Sequence, residues 1–292
     1  MLQDLDQGKL DNAFREISPE DTDIVFCFRE GEVLLHREPD DTLSLPSCRQ
    51  IKKWAENWKS WEDAPFRYVF NLQGINCFQW MGCGGECSDG EFSYEPVRTL
   101  RQLQSKNICY GVMTAWHLYN WYRSNRFCGR CGKPTVHDRK ERMLLCPECG
   151  NMIYPKISPA VIIAVTDGDR LLLSKYAGRS YTRYALLAGY TEIGETLEET
   201  VQREVMEEVG LKVRNVRYYK SQPWGVDGNV LMGFFCDLDG ADTIHLDEHE
   251  LSMAAWFPRN AIPARDDGIS LTREMIRIFE EGAEPQGKLL KF

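Results

Sequence analysis

Residues 189–211, GYTEIGETLEETVQREVMEEVGL, constrain this chain more than any other stretch, because they specify one helix and load one side of it with carboxylates. Thr196 is a suitable N-cap, and Glu199, three residues on, completes a capping box. Gly210 stands where helices commonly end in the left-handed region. The spacing predicts a helix over 197–209. Leu197, Val201, Val205 and Val209 form an i, i+4 row suited to packing on a sheet. Glu204, Glu207 and Glu208 lie beside that row within an arc of about 100°. Like charges so close repel, by roughly a few tenths of a kcal/mol per pair. A hard divalent cation such as Mg²⁺ or Mn²⁺ turns that repulsion into coordination, and Arg203 can orient one carboxylate. On the three glutamates alone, a solvated acidic helix face is the simpler account.

A second pattern lies upstream. Cys128-Gly-Arg-Cys131 and Cys146-Pro-Glu-Cys149 are two C-x2-C pairs, each followed by glycine. A two-residue gap lets both sulfurs of a pair reach one ion, and four thiolates complete a tetrahedral Zn²⁺ shell with no open position for water. Cys128, Cys131, Cys146 and Cys149 are therefore expected to hold a structural zinc. Two disulfides or four free thiols are the alternatives. The other seven of the 11 cysteines are scattered and read as free thiols in a reducing compartment. Cys83 and Cys87 form a C-x3-C pair with no partner pair nearby.

The chain has 292 residues, enough for two domains or one large one. Its longest purely apolar run, 160–165, is far too short to span a bilayer. The polar, acidic start MLQDLDQGKL has no signal-peptide core, so a cytoplasmic location is the default and no membrane partner is expected. A net charge of −9 argues against a broad nucleic-acid-binding surface. A local one is possible in Arg123–Arg142, where seven Lys/Arg face two acids. A zinc-thiolate site carrying −2 lowers that window from +5 to about +3.

Short β-branched and aromatic runs predict strands at Ile24–Phe28, Val33–His36, Tyr68–Leu72 and Asn76–Trp80. Ile51, Trp54 and Trp58 share one helix face, which suits core packing. A helix is expected from about Val112 to Arg123. Two apolar runs around Asp167-Gly168 predict a β-hairpin. Further strands are expected at 213–220, 230–236 and 255–257, and a last helix at about 271–281. The order is α+β with a mixed sheet. Glu250, in a stretch of six acids without Lys or Arg (237–250), is a further carboxylate of note.

The whole pattern decides between the two accounts of the glutamate helix. Gly189, Glu195 and Arg203-Glu204-Val205-x-Glu207-Glu208-x-Gly210-Leu211 fit the Nudix box at each specified position. A chance match in a chain this long is of order ~10⁻⁷. The resemblance implies the Nudix α/β/α sandwich and hydrolysis of a nucleoside diphosphate linked to another moiety. Polyanionic pyrophosphate repels a water nucleophile, and divalent cations neutralise its oxygens and acidify bound water.

The segment 121–132, Tyr154-Pro-Lys-Ile-Ser-Pro159, Leu187-Ala-Gly-Tyr190 and Ser221-Gln-Pro-Trp224 resemble the NAD(H) pyrophosphatase family within that superfamily. The likeness covers about 110–292 well and the first hundred residues only by domain order. It implies an N-terminal α+β domain (1–123), a four-cysteine zinc ribbon (124–156) and a Nudix catalytic domain (157–292). It implies that Glu204, Glu207, Glu208 and Glu250, with the Ala188 carbonyl, hold the catalytic Mg²⁺ or Mn²⁺. It matches Tyr154 and Tyr190 to aromatics that sandwich a base in a site shared between two subunits of a homodimer. Gln222, Pro223 and Trp224 match the recognition loop, and Arg98, Glu141 and Thr272 match other substrate contacts. The implied reaction is cleavage of NAD(H) to NMN(H) and AMP, and of NAD caps on RNA.

After Trp224 the chain departs from the family pattern. Gly225-Val-Asp-Gly-Asn-Val230 replaces PFPxS, and the loss of prolines leads to the expectation of a freer loop and broader substrate choice. Asp227 would add charge against substrate phosphates. A Nudix hydrolase of ADP-ribose or dinucleoside polyphosphates is the second enzymatic reading. A non-catalytic zinc-ribbon module binding RNA or protein is the reading from another class.

Overall fold

The computed structural model describes residues 1–5, 8–40, 42–54, 66–82, 90–102, 106–178, 183–264 and 267–286. Two compact units emerge: one of Met1, Ile157–Trp224 and Asn229–Phe292, the other of Leu2–Lys156 and Gly225–Gly228.

In the unit that holds most of the N-terminal half, the described strands are β1 (Leu10–Asp11), β2 (Ile24–Phe26), β3 (Phe28–Arg29), β4 (Glu32–Arg37), β5 (Leu43–Ser44), then, after helix α1 (Cys48–Trp54), β6 (Phe66–Leu72), β7 (Ile75–Trp80) and β8 (Ser93–Pro96). They form one sheet of order β1-β6-β7-β2 and a second of order β3-β4-β5 with β8 beside β4. Helix α2 (Lys106–Ser124) leads into the cysteine segment and starts six residues before the predicted Val112. Trp54 packs edge-on against Phe92 at 5.2 Å, as its helix face suggests, while Trp58, Cys83 and Cys87 lie outside the described residues. Cys27, Cys48, Cys77 and Cys109 are buried thiols. The ribbon strands β9 (Val136–His137), β10 (Leu144–Leu145) and β11 (Met152–Ile153) form a small antiparallel sheet, order β11-β10-β9.

The other unit is built on a six-stranded mixed sheet. It comprises β12 (Ser158–Asp167), β13 (Arg170–Tyr176), β14 (Leu187–Tyr190), β15 (Val213–Trp224), β16 (Asn229–Leu238) and β17 (Leu251–Pro258). The order is β15-β16-β12-β13-β17, with β14 paired to the first half of β12. Among the described strands of this sheet, only β12 and β16 run parallel. Helix α3 (Leu197–Val209) follows β14 and helix α4 (Leu271–Glu280) closes the unit.

Alternation along β12 explains the layers. Val161, Ile163 and Val165 point to one face and meet Val201, Val205 and Val209 of α3. Ile162 and Ala164 point to the other and meet Leu271, Met275, Ile276 and Phe279 of α4. A strand buried on both faces reads as a continuous apolar run, which is what AVIIAV is. The result is the expected α/β/α sandwich. Among the described residues, no helix is long and apolar enough to cross a membrane.

Candidate active site and zinc ribbon

Helix α3 begins and ends as its sequence dictates. The Thr196 hydroxyl accepts from the Glu199 N–H at 3.2 Å, and the Glu199 carboxylate accepts from the Thr196 N–H at 2.8 Å. Gly210 closes the helix at φ 68°. With both ends fixed and the valine row on the sheet, Glu204 and Glu208 are carried inward, to 8% and 2% exposure, while Glu207 stays exposed. Burial raises the Glu204 carboxyl above its ordinary value, against the pull of Arg203.

Arg203 organises the acidic group. Its guanidinium donates to Glu195 Oε1 at 2.6 Å, Glu204 Oε1 at 2.9 Å, Glu207 Oε2 at 2.8 Å and the Tyr190 carbonyl at 2.9 Å. The Arg203 contact holds the Glu195 carboxyl down at about 2. One cation thus ties the loop before α3, two helix carboxylates and the end of β14 together. The Glu204 carboxylate lies against the backbone of β14, so that a Cβ on Gly189 would overlap it. This is the close approach that requires glycine after Ala188, and it brings Glu204 beside that strand.

Glu250 reaches the site through a segment tied to the open end of α3. The last carbonyls of a helix lack partners within it. Here the His245 N–H donates to Val209 O and the Asp247 N–H to Glu208 O, both at 2.9 Å. The Asp247 carbonyl then accepts from Glu250 and Leu251 N–H at 3.2 and 2.9 Å, and the Glu250 carbonyl accepts from Ala177 N–H at 2.9 Å. Asp247 and His245 were not singled out from sequence, because their role is carried by backbone groups that leave no side-chain signature. The carboxylates of α3 and Glu250 are not drawn to ligand spacing. Among the described residues, only the four ribbon cysteines form such a group, with ligand atoms within 4.8 Å of one another.

Those cysteines converge as their spacing predicts. Cys128 and Cys149 sulfurs are 3.6 Å apart, Cys131 and Cys146 sulfurs 3.5 Å. Each knuckle is closed by a glycine N–H, Gly132 to Cys128 O and Gly150 to Cys146 O. The N–H groups of Arg130 and Cys131 draw the Cys128 thiol down to about 6. Four sulfurs converging at this spacing suit a soft or borderline cation.

The expected substrate residues fall in distinct settings. Tyr154 and Tyr190 are exposed rings. The Tyr154 hydroxyl donates to Glu141 Oε2 at 3.0 Å, so two expected contacts are joined within the ribbon, and the Tyr190 hydroxyl meets Asn229 Oδ1 at 3.2 Å. Pro223 is exposed and Trp224 half-buried at the end of β15. Gln222 lies inside, away from the exposed recognition surface its motif suggests. Its amide donates to Ile269 O at 2.8 Å and accepts from Leu271 N–H at 2.7 Å, so both ends hold the start of α4, where Thr272 stands half-buried.

Two expectations are corrected. Residues 225–228 form a tight turn between β15 and β16, held in place. Gly225 packs so closely on the Met113 carbonyl that a Cβ would overlap it, and Asp227 accepts from Arg98 at 2.7 Å. Gly225 therefore serves close packing and Gly228 a left-handed turn position at φ 73°, and the Asp227 charge is already met by Arg98. Likewise Arg142 is committed to Asn12 and to the Val69 carbonyl, so the basic window loses one of its seven cations as an open contact.

Residues 156–278 match the family described as NUDIX domain, and residues 123–154 the family described as NADH pyrophosphatase zinc ribbon domain. A protein named NAD-capped RNA hydrolase NudC from Pectobacterium atrosepticum is 36% identical over 199 residues, 68% of this chain and 74% of that one. Its namesake from Pectobacterium carotovorum is 32% identical over 237 residues, 78% of this chain and 83% of that one. A NUDIX hydrolase structure from Nitrosomonas europaea, 25% identical, covers 53% of this chain and 91% of its own, with a TM-score of 0.47.

Proposed function

This chain belongs to the Nudix hydrolases that carry an NADH pyrophosphatase zinc ribbon, and we propose that it hydrolyses the pyrophosphate of NAD(H) to NMN(H) and AMP, with NAD-capped RNA 5′ ends as a second substrate class. The observation that carries this is the buried pair Glu204 and Glu208 on a doubly capped helix, with Glu204 pressed into the space beside Gly189.

The donor set fits a hard divalent cation. The Ala188 carbonyl, Glu204, Glu207, Glu208 and Glu250 offer oxygen alone, which suits Mg²⁺ or Mn²⁺. When bound, the cation neutralises phosphate oxygens and lowers the pKa of water. The chain supplies placement. Arg203 ties Glu195, Glu204 and Glu207 together by hydrogen bonds and joins them to the end of β14. Glu250, on its anchored turn, serves as ligand or as the base that takes the water proton. The water oxygen bonds to one phosphorus, the bridging P–O bond breaks, and two phosphate monoesters leave. Tyr154 and Tyr190 stack on a base, Glu141 orients the Tyr154 ring, and Pro223, Trp224, Arg98 and Thr272 complete recognition. Gln222 acts as a positioning residue for α4.

The four cysteines hold one Zn²⁺ that is structural, since four sulfurs leave no open position. Functionally we divide the chain into an N-terminal domain (1–123), the ribbon (124–156) and the catalytic domain (157–292), acting as a homodimer in the cytoplasm. The test is the full chain with Mn²⁺ or Mg²⁺ against NADH, NAD⁺, ADP-ribose and NAD-capped RNA, products resolved by chromatography. NMN(H) and AMP from the first two support the reading. Cleavage of ADP-ribose with both dinucleotides untouched would overturn it.

A further inference from the structure

We propose that Asn229 is a positioning residue for the substrate base: it accepts a hydrogen bond from the Tyr190 hydroxyl and so holds that ring along the sheet as a fixed stacking platform. The inference rests on the reading of Tyr190 as a base-stacking residue, and adds the residue that orients it.

The strand register places the pair. β14 and β16 lie on opposite edges of β12, and Tyr190 pairs with Ala160, which pairs with Leu231. Asn229 stands two residues before Leu231, opposite Ser158. Side chains alternate between the faces of a strand. Ala188 and Leu231 pack on the face covered by α4, so Tyr190 and Asn229, each two residues away, share that face. The Tyr190 hydroxyl donates to Asn229 Oδ1 at 3.2 Å. To reach it the ring crosses β12, with neighbouring strands about 4.8 Å apart. It therefore lies along the sheet instead of standing away from it. Ala160 and Ser158 are the β12 residues on that face, and both are small enough to pass beneath a ring. Tyr190 is 52% exposed and Asn229 8%, so an exposed ring is anchored on a buried amide. Trp224 pairs with Asn229 from the other side, across β15. Asn229 thus stands between two residues assigned to recognition.

The backbone of Tyr190 is fixed as well. Its carbonyl accepts from Arg203 Nη2 at 2.9 Å. Gly189, one residue earlier, meets Glu204 on the opposite face of the sheet. The tyrosine is held at both ends, at a set offset from the acidic group. Without the hydroxyl bond, an exposed tyrosine ring is free to turn among its rotamers. Ordering it when a base arrives costs conformational entropy, and a ring already in place avoids that cost.

The test uses the full chain and two readouts. One is NADH binding without divalent cation, followed by the fluorescence of the dinucleotide itself. The other is steady-state NADH hydrolysis with Mn²⁺. Asn229→Ala should raise Kd and KM about fivefold, the scale of one net hydrogen bond, with a much smaller change in kcat. Tyr190→Phe keeps the ring, removes the same bond from its exposed side, and should raise Kd equally. The double variant should bind no more weakly than either single one, because both remove one shared interaction. Unchanged Kd in Tyr190→Phe, or a double variant weakened about 25-fold as independent effects multiply, would overturn the proposal. Wild type that hydrolyses NADH, with all three variants unchanged, would remove the platform and leave the catalytic reading standing. Wild type that binds NADH with the expected variant pattern but does not cleave it would do the reverse.

Discussion

At Gly189 a single missing methyl group sets the geometry of the site, because the Glu204 carboxylate occupies its place. Gly189→Ala should displace that carboxylate, cost about 1–3 kcal/mol through overpacking, and lower turnover about tenfold or more, read by steady-state kinetics and thermal melting on the same sample. Arg203 and Glu195 give a second residue-level prediction with a defined sign. The Arg203 contact depresses the Glu195 carboxyl to about 2. A group depressed in the folded state contributes stability above its unfolded value, about 4.3, and loses it as pH falls toward about 2. Glu195→Gln should therefore lower the melting temperature at pH 6, and the gap from wild type should shrink steadily between pH 4.5 and 3. A gap independent of pH would show that the Glu195 charge is not what Arg203 stabilises. These residues were legible in part. The box named Gly189, Glu195 and Arg203 together, but their contact is tertiary and no spacing rule gives it.

At the scale of elements, α3 was readable to the residue because its start, its stop and its buried stripe are all local. Thr196→Ala removes one partner of the capping box and should destabilise by about 1 kcal/mol, a melting shift of roughly 2–4 °C, with catalysis at 25 °C little changed. β12 and β13 were equally plain, since a turn at Asp167-Gly168 separates two apolar runs. The start of α2 was missed, because Lys106, Asn107 and Gly111 break the apolar period that begins at Val112. The turn at 225–228 was misjudged for a physical reason. Glycine content signals freedom in an isolated chain, but close backbone packing uses the same residue, and only the structure shows Met113 against Gly225. The fold of Gln222 into the interior was hidden likewise, as a polar residue in a recognition motif gives no sign that its amide holds α4.

At the scale of the whole molecule, the zinc ribbon and the acidic helix are separate devices, and their failures should separate too. Cys128→Ser should abolish stoichiometric zinc by elemental analysis and lower the melting temperature, since zinc binding at such sites is folding free energy. An unchanged zinc content would remove the four-cysteine site. The central claim is that buried oxygens of α3 make a cation-dependent pyrophosphatase. Its most direct test is a Mn²⁺ titration of NADH hydrolysis, wild type beside Glu208→Gln, with NMNH and AMP quantified by chromatography. The account predicts saturable Mn²⁺-dependent release of equal NMNH and AMP by wild type, and turnover at least ~10²-fold lower for Glu208→Gln at saturating Mn²⁺. Near-normal turnover by Glu208→Gln, or wild-type hydrolysis indifferent to the cation, would contradict it.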